Sequence, residues 1–310
     1  MTLSPLSLVA VVFLVYPGTG SEIPNFRISD DALQAAVTGL REKDHNRARP
    51  GQIRLNYQQH TRTTSSSDDA RRNLFVHVDT RLLNQPTYQK FIALLDNYNR
   101  MTGRRETESR AERDEITAFI SAVSATDVMQ DLFRFLHKQG HPFASSQSSF
   151  RSWLRHLWFH MYSRARGATD TSGFEHVFVG ESKNGQVAGM HSWLQYYLLE
   201  RSNKADYMGF LIKRGNIMTA IKFNWEGQMK PSASFLIGTS PEFDLALYTL
   251  CFLTHHGGRN DQCKFNIDGC QMSITSHVIR QRGKSYVGSI FPSAGRISNT
   301  CRNTIRRNSS

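Results

Sequence analysis

The spacing of the apolar residues changes once along this chain, and that change constrains the fold more than any other feature. Between about residues 84 and 165, apolar side chains recur at helical intervals, as they do within residues 88–95. Beyond Gly173 they form short runs or alternate with other residues at the period of a half-buried strand, as in residues 217–225. We therefore predict an α+β protein in which a helical N-terminal half precedes mostly antiparallel β-sheets.

Capping and turn signals place the individual elements. Helices are predicted over residues 86–95, 116–123, 128–139, 150–161, 192–199 and 239–253. Strands are predicted over residues 174–179, 217–225, 235–237, 273–279 and 285–291. The pairs Asn184-Gly185 and Glu226-Gly227 are typical of tight turns between strands.

The N-terminus has the pattern of a secretory signal peptide. An apolar run over residues 8–16 is far shorter than the roughly 20 residues of a membrane-spanning helix. Small residues follow it, so cleavage is predicted after Gly20 and the mature chain is expected to be secreted and to lack a membrane span. A buried N-terminal strand is the alternative interpretation of the same run.

Polar segments flank the periodic region on both sides. Residues 21–69 are interpreted as a polar extension, of which residues 41–72 are expected to lie on the surface and to be partly mobile. Residues 293–310 are interpreted as a basic tail, most simply a flexible one, with weak phosphate contacts as the functional alternative. Lys and Arg number 38 against 26 Asp and Glu, a net charge of +12 that favours a polyanionic partner such as RNA, DNA or a sulfated glycan.

The four cysteines fit an oxidising compartment but lack the spacing of a zinc site. Cys263 and Cys270 flank a short Asp268-Gly269 turn, so we predict that a disulfide can join them. Cys251 lies in an apolar stretch, where an unpaired buried thiol is expected.

Two histidines and a lysine form a possible catalytic set for RNA cleavage without a metal. One histidine can take the proton from the 2′-hydroxyl and the other can protonate the departing 5′-oxygen, because the reference pKa near 6.5 allows both forms. A lysine can stabilise the charge of the phosphorane-like transition state. The candidates are His176, His191 and Lys230; taken singly, each is more typical of a core histidine or a surface lysine.

The surrounding motifs resemble the EndoU family of uridylate-preferring endoribonucleases. They are the run over residues 173–193, with the two histidines, the stretch over residues 223–252, with Lys230, and KSYVGSIFP near the C-terminus. The resemblance also extends upstream through residues 86–98 and 158–164, so that it covers nearly all of residues 70–292. The resemblance implies one domain over residues 70–292, with a helical lobe over residues 70–165 and a β-rich catalytic lobe over residues 166–292.

The resemblance implies roles residue by residue. His176, His191 and Lys230 match the catalytic positions of the family. Tyr286 matches an aromatic residue that stacks on the target base, and Ser234, which lies close to another serine, is a candidate for reading the uracil edge. Two acidic positions that tune the first histidine or attract a divalent ion are Glu175 and Glu181. By analogy with pancreatic-type ribonucleases, we expect the second histidine to be the base and the first the acid.

One departure from the family pattern lies beside the second histidine. The sequence here is Gly-Met-His-Ser-Trp, where Gly-Phe-His-Asn-Trp is more usual, so Ser192 replaces a neighbouring amide.

The resemblance further implies cleavage of single-stranded RNA at uridylates, with a 2′,3′-cyclic phosphate and a 5′-hydroxyl as products. Mn²⁺ is expected, if it is needed, to assist RNA binding rather than the chemistry.

Two other functions remain compatible with the sequence. A noncatalytic binder of RNA or of another polyanion would need only the basic charge, and a metal-dependent nuclease or phosphatase would use Glu175 and Glu181. His156 and His160 have the spacing of two metal ligands on a helix, but packing or surface roles are expected for them. We expect a monomer, and no protein partner can be inferred.

Overall fold

The computed structural model describes residues 22–165 and 167–307, so the predicted signal peptide lies outside the described residues. The first half is built mainly from helices, as predicted. These helices are α1 (Asp30–Glu42), α2 (Thr80–Leu83), α3 (Pro86–Ala93), α4 (Arg110–Ser124), α5 (Asp127–Lys138) and α6 (Gln147–Phe159). A short two-stranded sheet of β1 (Ile53–Leu55) and β2 (Phe75–Val78) interrupts them.

Helix starts and stops follow the local signals in the sequence. Ser109 and Glu112 form a reciprocal capping box at the start of α4. Pro86 occupies the first turn of α3, and α5 ends before Gly140, which has a φ of 71°.

Helix α1 extends the domain beyond the predicted N-terminal boundary. Leu33, Val37 and Leu40 form one buried face of α1, and they belong to the main hydrophobic core. Further along, the backbone carbonyls of Ser65 and Ser67 accept hydrogen bonds from buried Lys222, at 3.0 and 2.6 Å. The segment interpreted as a polar extension is therefore packed against the rest of the protein at these points.

The second half contains the two larger sheets. Their elements are β3 (Glu181–Lys183), β4 (Gln186–Ala188), α7 (Trp193–Arg201), β5 (Ala205–Arg214), β6 (Met218–Trp225), β7 (Gln228–Leu236), α8 (Pro241–Thr254), β8 (Cys263–Ile267), β9 (Cys270–Gln281), β10 (Lys284–Ala294) and α9 (Asn299–Arg307). One sheet has the order β3-β4-β7-β6-β5 and the other β10-β9-β8. The pairings are antiparallel except between β4 and β7, which confirms the α+β prediction.

Tight turns join neighbouring strands where the sequence predicts them. Asn184 and Gly185 connect β3 to β4 with φ angles of 52° and 75°, as a type I′ turn requires. Strand β6 differs from the prediction because it is buried on both faces rather than half-buried. The alternation in its sequence therefore does not mark a solvent-exposed face. Lys222, for example, makes its hydrogen bonds inside the protein rather than with solvent.

Helix α8 is the central element of the core. It is buried along its whole length and contacts α1, α3, α4 and α5 as well as β9 and β10. It therefore joins the helical half to the three-stranded sheet. Among the helices of the described chain, none is both long enough and apolar enough to cross a membrane.

The disulfides differ from the prediction. Cys251 is bonded to Cys263 and Cys270 to Cys301. The suggested Cys263–Cys270 bridge is wrong. The two cysteines lie on neighbouring strands, but the register of the hairpin pairs Cys263 with Ile274 and Cys270 with Ile267. Cys251 is buried, as expected, but is not a free thiol.

The predicted flexible tail is also wrong for the described residues. Strand β10 continues to Ala294, and α9 follows it, tied to the start of β9 through Cys301. Ser298 caps α9 by accepting a hydrogen bond from the backbone N–H of Cys301, at 3.0 Å.

Candidate active site

His176 lies in a π-helical turn, not in the predicted strand. The turn spans Glu175–Val179, and the N–H of Gly180 donates to the carbonyl of Glu175, five residues earlier, at 2.8 Å. The apolar alternation that suggested a strand instead buries every residue of this turn. Single π-helical turns are frequent at functional sites.

The backbone of the turn holds the second histidine beside the first. Met190 donates its N–H to the carbonyl of His176 at 3.0 Å, and His191 donates to the carbonyl of Val177 at 2.6 Å. Gly189 makes this close approach possible with a φ of 69°, and Met190 follows at 60°. These hydrogen bonds bring together two residues that are fifteen positions apart in the sequence. They support the predicted convergence of His176 and His191.

An ion-pair chain orients the His176 imidazole. Its Nδ1 is hydrogen-bonded to the buried carboxylate of Glu181, which leaves Nε2 for other partners. Arg164 lies on the far side, with Nε 3.0 Å from the same Glu181 oxygen. Burial lowers the pKa of His176 to about 4, and the negative charge of Glu181 opposes that shift.

A neutral acceptor orients the His191 imidazole. Its Nδ1 lies 2.8 Å from the carbonyl of Ser234, which can only accept, so Nδ1 carries the hydrogen and Nε2 has a free lone pair. The ring packs against Phe291 with the centroids 5.5 Å apart. Burial, followed by the charge of Lys230, lowers the pKa of His191 well below its usual value.

Ser192 takes a structural role where the family pattern has an amide. Its hydroxyl accepts a hydrogen bond from the N–H of Gln195 at 3.3 Å and so caps α7 directly after His191. The carbonyl of His191 accepts from the hydroxyl of Tyr248 at 3.3 Å. The serine therefore preserves the helix start that follows the second histidine.

Lys230 completes the cluster from strand β7. It is 8 % exposed, and burial lowers its pKa to about 8 while Glu181 raises it. The same strand carries Ser234, whose carbonyl holds His191. The positive charge of Lys230 lowers the pKa of both histidines, so the lysine lies within electrostatic range of both rings. The structure thus brings the three predicted catalytic residues together.

Tyr286 is surrounded by other rings in this structure. His156 and His160 stack near it with centroids 5.8 and 5.7 Å away, and Tyr162 lies 5.1 Å away. The tyrosine is 5 % exposed, whereas His160 is exposed. Little of the Tyr286 ring is therefore open to a base in this structure. For the two histidines, this packing agrees with the expected packing role rather than with a metal site.

Ser234 contributes through its backbone. Its carbonyl fixes His191, as described above, and its side chain lies at the margin of burial, 9 % exposed. The neighbouring Ser232 on the same strand is exposed. Both hydroxyls remain candidates for base contact, as the sequence suggested.

Arg164 is a site residue that sequence reasoning did not single out. Besides Glu181, it contacts the carbonyl of Gly288 and the hydroxyl of Tyr162, the latter at 2.9 Å. Gly288 lies in the bulge of β10, two residues after Tyr286. Arg164 therefore links the strand that carries the tyrosine to the carboxylate that holds His176. Its only signal in the sequence was its position at the end of a family-like motif.

Glu175 differs from Glu181 in its surroundings. It is fully buried, and within the described chain neither carboxyl oxygen makes a well-formed hydrogen bond. Burial, with the nearby charges of Glu106 and Glu181, raises its pKa to about 10, so it is protonated at neutral pH. A protonated carboxyl is a poor metal ligand.

The donor groups do not fit a divalent metal. Among the described residues, no three His, Cys, Asp or Glu side chains are grouped so that they could hold a metal ion. Glu181 is already engaged with His176 and Arg164.

Comparisons with known proteins show the family of this chain. Residues 32–292 match the family described as Endoribonuclease XendoU. A uridylate-specific endoribonuclease of Paralichthys olivaceus is 37 % identical over 279 residues, which cover 86 % of this chain and 71 % of the relative. Uridylate-specific endoribonuclease D of Xenopus laevis is 35 % identical, over 87 % of this chain and 92 % of the relative.

A solved structure shares the fold. It is that of XendoU, described as a splicing-independent snoRNA-processing endoribonuclease, and it matches with a TM-score of 0.71 at 32 % sequence identity. The match covers 85 % of this chain and 97 % of the solved chain. With a family match over most of its length and relatives at this identity, the chain belongs to the XendoU family of endoribonucleases.

Proposed function

We propose that this protein cleaves single-stranded RNA at uridylates by attack of the 2′-hydroxyl on the adjacent phosphate. The observation that carries the proposal is that the two imidazoles have different hydrogen-bond partners. His191 Nδ1 faces a neutral carbonyl, whereas His176 Nδ1 faces a carboxylate. Uridylate preference is inferred from the names of the relatives.

His191 is assigned as the general base. With its Nδ1 hydrogen directed to Ser234, its Nε2 lone pair is free to accept the proton of the 2′-hydroxyl. The lowered pKa keeps this imidazole unprotonated at neutral pH. The 2′-oxygen then forms a bond to phosphorus.

His176 is assigned as the general acid. The carboxylate of Glu181 stabilises the protonated imidazole, and an RNA phosphate beside the ring adds negative charge that also opposes the lowering of its pKa by burial. As the bond from phosphorus to the 5′-oxygen breaks, His176 gives its proton to that oxygen. The products are a 2′,3′-cyclic phosphate and a 5′-hydroxyl, and no water is consumed.

Lys230 is assigned to charge stabilisation. A preorganised cation in a buried site stabilises the phosphorane-like transition state more than it would in water. Tyr286 is proposed to stack on the uracil after His160 moves aside, and Ser234 to contact the base edge. Glu175 is proposed to support the turn in its neutral form.

The setting of the reaction is also proposed. We infer that the protein is secreted after cleavage behind Gly20, and the two disulfides support an oxidising compartment. Mn²⁺ enters only as an aid to RNA binding, and the protein is proposed to act as a monomer.

The test is a single-turnover assay on oligonucleotides that differ at one position. An otherwise all-adenosine RNA with one uridine should be cut after that uridine, and the cytidine version should be cut more slowly. Cleavage should persist in EDTA at saturating RNA. His176→Ala and His191→Ala should each lose at least about 1000-fold in rate while they still bind RNA. Binding without any wild-type cleavage would instead favour the noncatalytic function.

A further inference from the structure

A groove outside the catalytic cluster carries arginines that the mechanism does not use. It has a volume of about 400 Å³, within the roughly 300–1,000 Å³ of typical ligand sites. Its lining includes the loop between α1 and β1, with Arg47 and Arg49, and the residues that follow β7, Ile237 and Gly238. Thr304 of α9 lines the groove as well.

The walls of the groove are fixed to each other. Ala48, which lies between the two arginines, donates its N–H to the carbonyl of Gly238 at 2.7 Å. Helix α9 is held by the bond between Cys270 and Cys301, and a side chain at Gly215 would meet Ile305 of α9. The groove is therefore built from backbone contacts and a covalent link rather than from mobile side chains.

The groove is positively charged, and most of its charge is not neutralised by acidic side chains of the described chain. Asp268 is the acidic side chain among its described lining residues, and it is paired with Arg41 at 2.6 Å. The guanidinium of Arg47 donates a hydrogen bond from Nη1 to the carbonyl of Arg41 at 2.6 Å. Arg49 is exposed, and in the described chain its guanidinium has no acidic partner. Exposed arginines continue along α9 at Arg302 and Arg306.

Strand β7 connects the groove to the catalytic cluster. It carries Lys230, and then Ser234, whose carbonyl holds His191; the chain next enters the groove wall at Ile237. At about 3.3 Å per residue, Ser234 and Gly238 are at most about 13 Å apart along the strand. That span equals a few nucleotides, because a stacked strand advances about 3.4 Å per phosphate.

We propose that this arginine groove, defined by Arg47, Arg49, Gly238 and Thr304, binds the phosphate backbone of the RNA a few nucleotides away from the cleaved bond. The proposal rests on the proposed function, since it takes RNA as the substrate. Arginine pairs well with phosphate in two-pronged geometry. Long RNA would thus be held at two places and short RNA only at the catalytic cluster.

The experiment compares two double variants with the full-length protein. Arg47→Ala/Arg49→Ala removes two charges from the groove. The matched control is Arg110→Ala/Lys138→Ala, which removes two charges from exposed positions on α4 and α5 that do not line it. Substrates are a tetranucleotide and an RNA of about 20 nucleotides, each with one uridine.

We expect the groove variant to raise KM for the long RNA about tenfold, with kcat and the tetranucleotide KM unchanged. Binding is measured with an uncleavable 2′-deoxyuridine version of the long RNA. The slope of log binding constant against log salt concentration should fall in magnitude by about 1.4, because two phosphate contacts are lost at about 0.7 each. The control should show neither effect on the length dependence. Equal KM values for wild type and groove variant on the long RNA would overturn the proposal.

Two further outcomes separate the alternatives. If the groove variant loses affinity for a heparin octasaccharide but binds the uncleavable RNA like wild type, the groove serves a sulfated glycan and the proposal is wrong. If wild type cleaves neither RNA, the proposed function fails. The binding assay with uncleavable RNA then still decides whether the groove holds RNA, because it does not depend on cleavage.

Discussion

The carbonyl oxygen of His176 occupies the space where a side chain at Gly189 would begin. A Cβ built on Gly189 would lie 1.7 Å from that oxygen. The same carbonyl accepts the N–H of Met190, and the next residue is His191. The distance between His176 and His191 therefore depends on the missing side chain of Gly189.

Gly189→Ala is expected to separate the histidines and to reduce kcat/KM by at least about 100-fold, since a shift of about 1 Å in a catalytic group has that effect. The control is Gly185→Ala, which has a similar φ of 75° but no atom within 4 Å of its added Cβ. It should cost only about 1 kcal/mol of stability, from the left-handed backbone, and leave activity intact. Equal activity in both variants would contradict the proposed role of the close approach.

Glu181→Gln should move the alkaline limb of the pH–rate profile to lower pH. In the proposed mechanism His176 and Lys230 both act in their protonated forms, and the Glu181 charge raises the pKa of each. The amide keeps the hydrogen-bond acceptor but removes the charge, so both pKa values should fall. The measurement is kcat from pH 5 to 9, with exposed Glu226→Gln as control. An unmoved limb with a uniformly lower rate would show that Glu181 acts only through packing.

Glu175→Gln should stabilise the protein increasingly as pH rises. The folded pKa of Glu175 is raised to about 10, so its contribution to stability is fully present below the unfolded pKa near 4.5 and is lost as pH rises towards 10. Glutamine has no proton to lose. Its advantage in the free energy of unfolding should grow by up to about 1.4 kcal/mol per pH unit between pH 5 and 8. Urea unfolding at the two pH values checks this.

The matched control for Glu175→Gln is Glu42→Gln, at an exposed position of α1. Its effect on the free energy of unfolding should be the same at pH 5 and pH 8. A Glu175→Gln variant that is less stable than wild type at pH 8 would mean that Glu175 is ionised in the folded protein.

Cys270→Ser/Cys301→Ser should lower the free energy of unfolding by about 3 to 4 kcal/mol. The bond closes a loop with a sequence separation of 31 residues, and a loop of that size restricts the unfolded chain by about that amount. The catalytic cluster lies on other elements, so activity on a tetranucleotide at 25 °C should be retained. A variant as stable as wild type would show that the bond does not form in solution.

Local signals predicted much of the fold. Helix caps such as Ser109 and turn pairs such as Asn184-Gly185 act within a few residues, so the sequence alone identifies them. The cysteine pairing was not predictable in this way, since Cys270 meets Cys301 only after α9 folds back onto β9. The same holds for α1, because its apolar face is buried only by contacts with α5, α8 and β8, which lie far away in the sequence.

The site shows the same division. The motifs identified His176, His191 and Lys230, but the π-helical turn resembles a strand because its apolar residues at alternate positions are all buried. Arg164 was missed because its partners Glu181 and Gly288 are distant in sequence. Ser234 was considered for its hydroxyl, whereas its carbonyl is what fixes the imidazole of His191.

The central claim is that the 2′-hydroxyl, activated by His191, is the nucleophile. The most direct test is mass spectrometry of the 5′ product of a single-uridine RNA, taken at the earliest time points with and without EDTA. We predict a 2′,3′-cyclic phosphate, lighter than the linear phosphate by one water, and no cleavage when that uridine is replaced by 2′-deoxyuridine. A linear phosphate as the first product, or cleavage of the 2′-deoxy substrate, would contradict the mechanism.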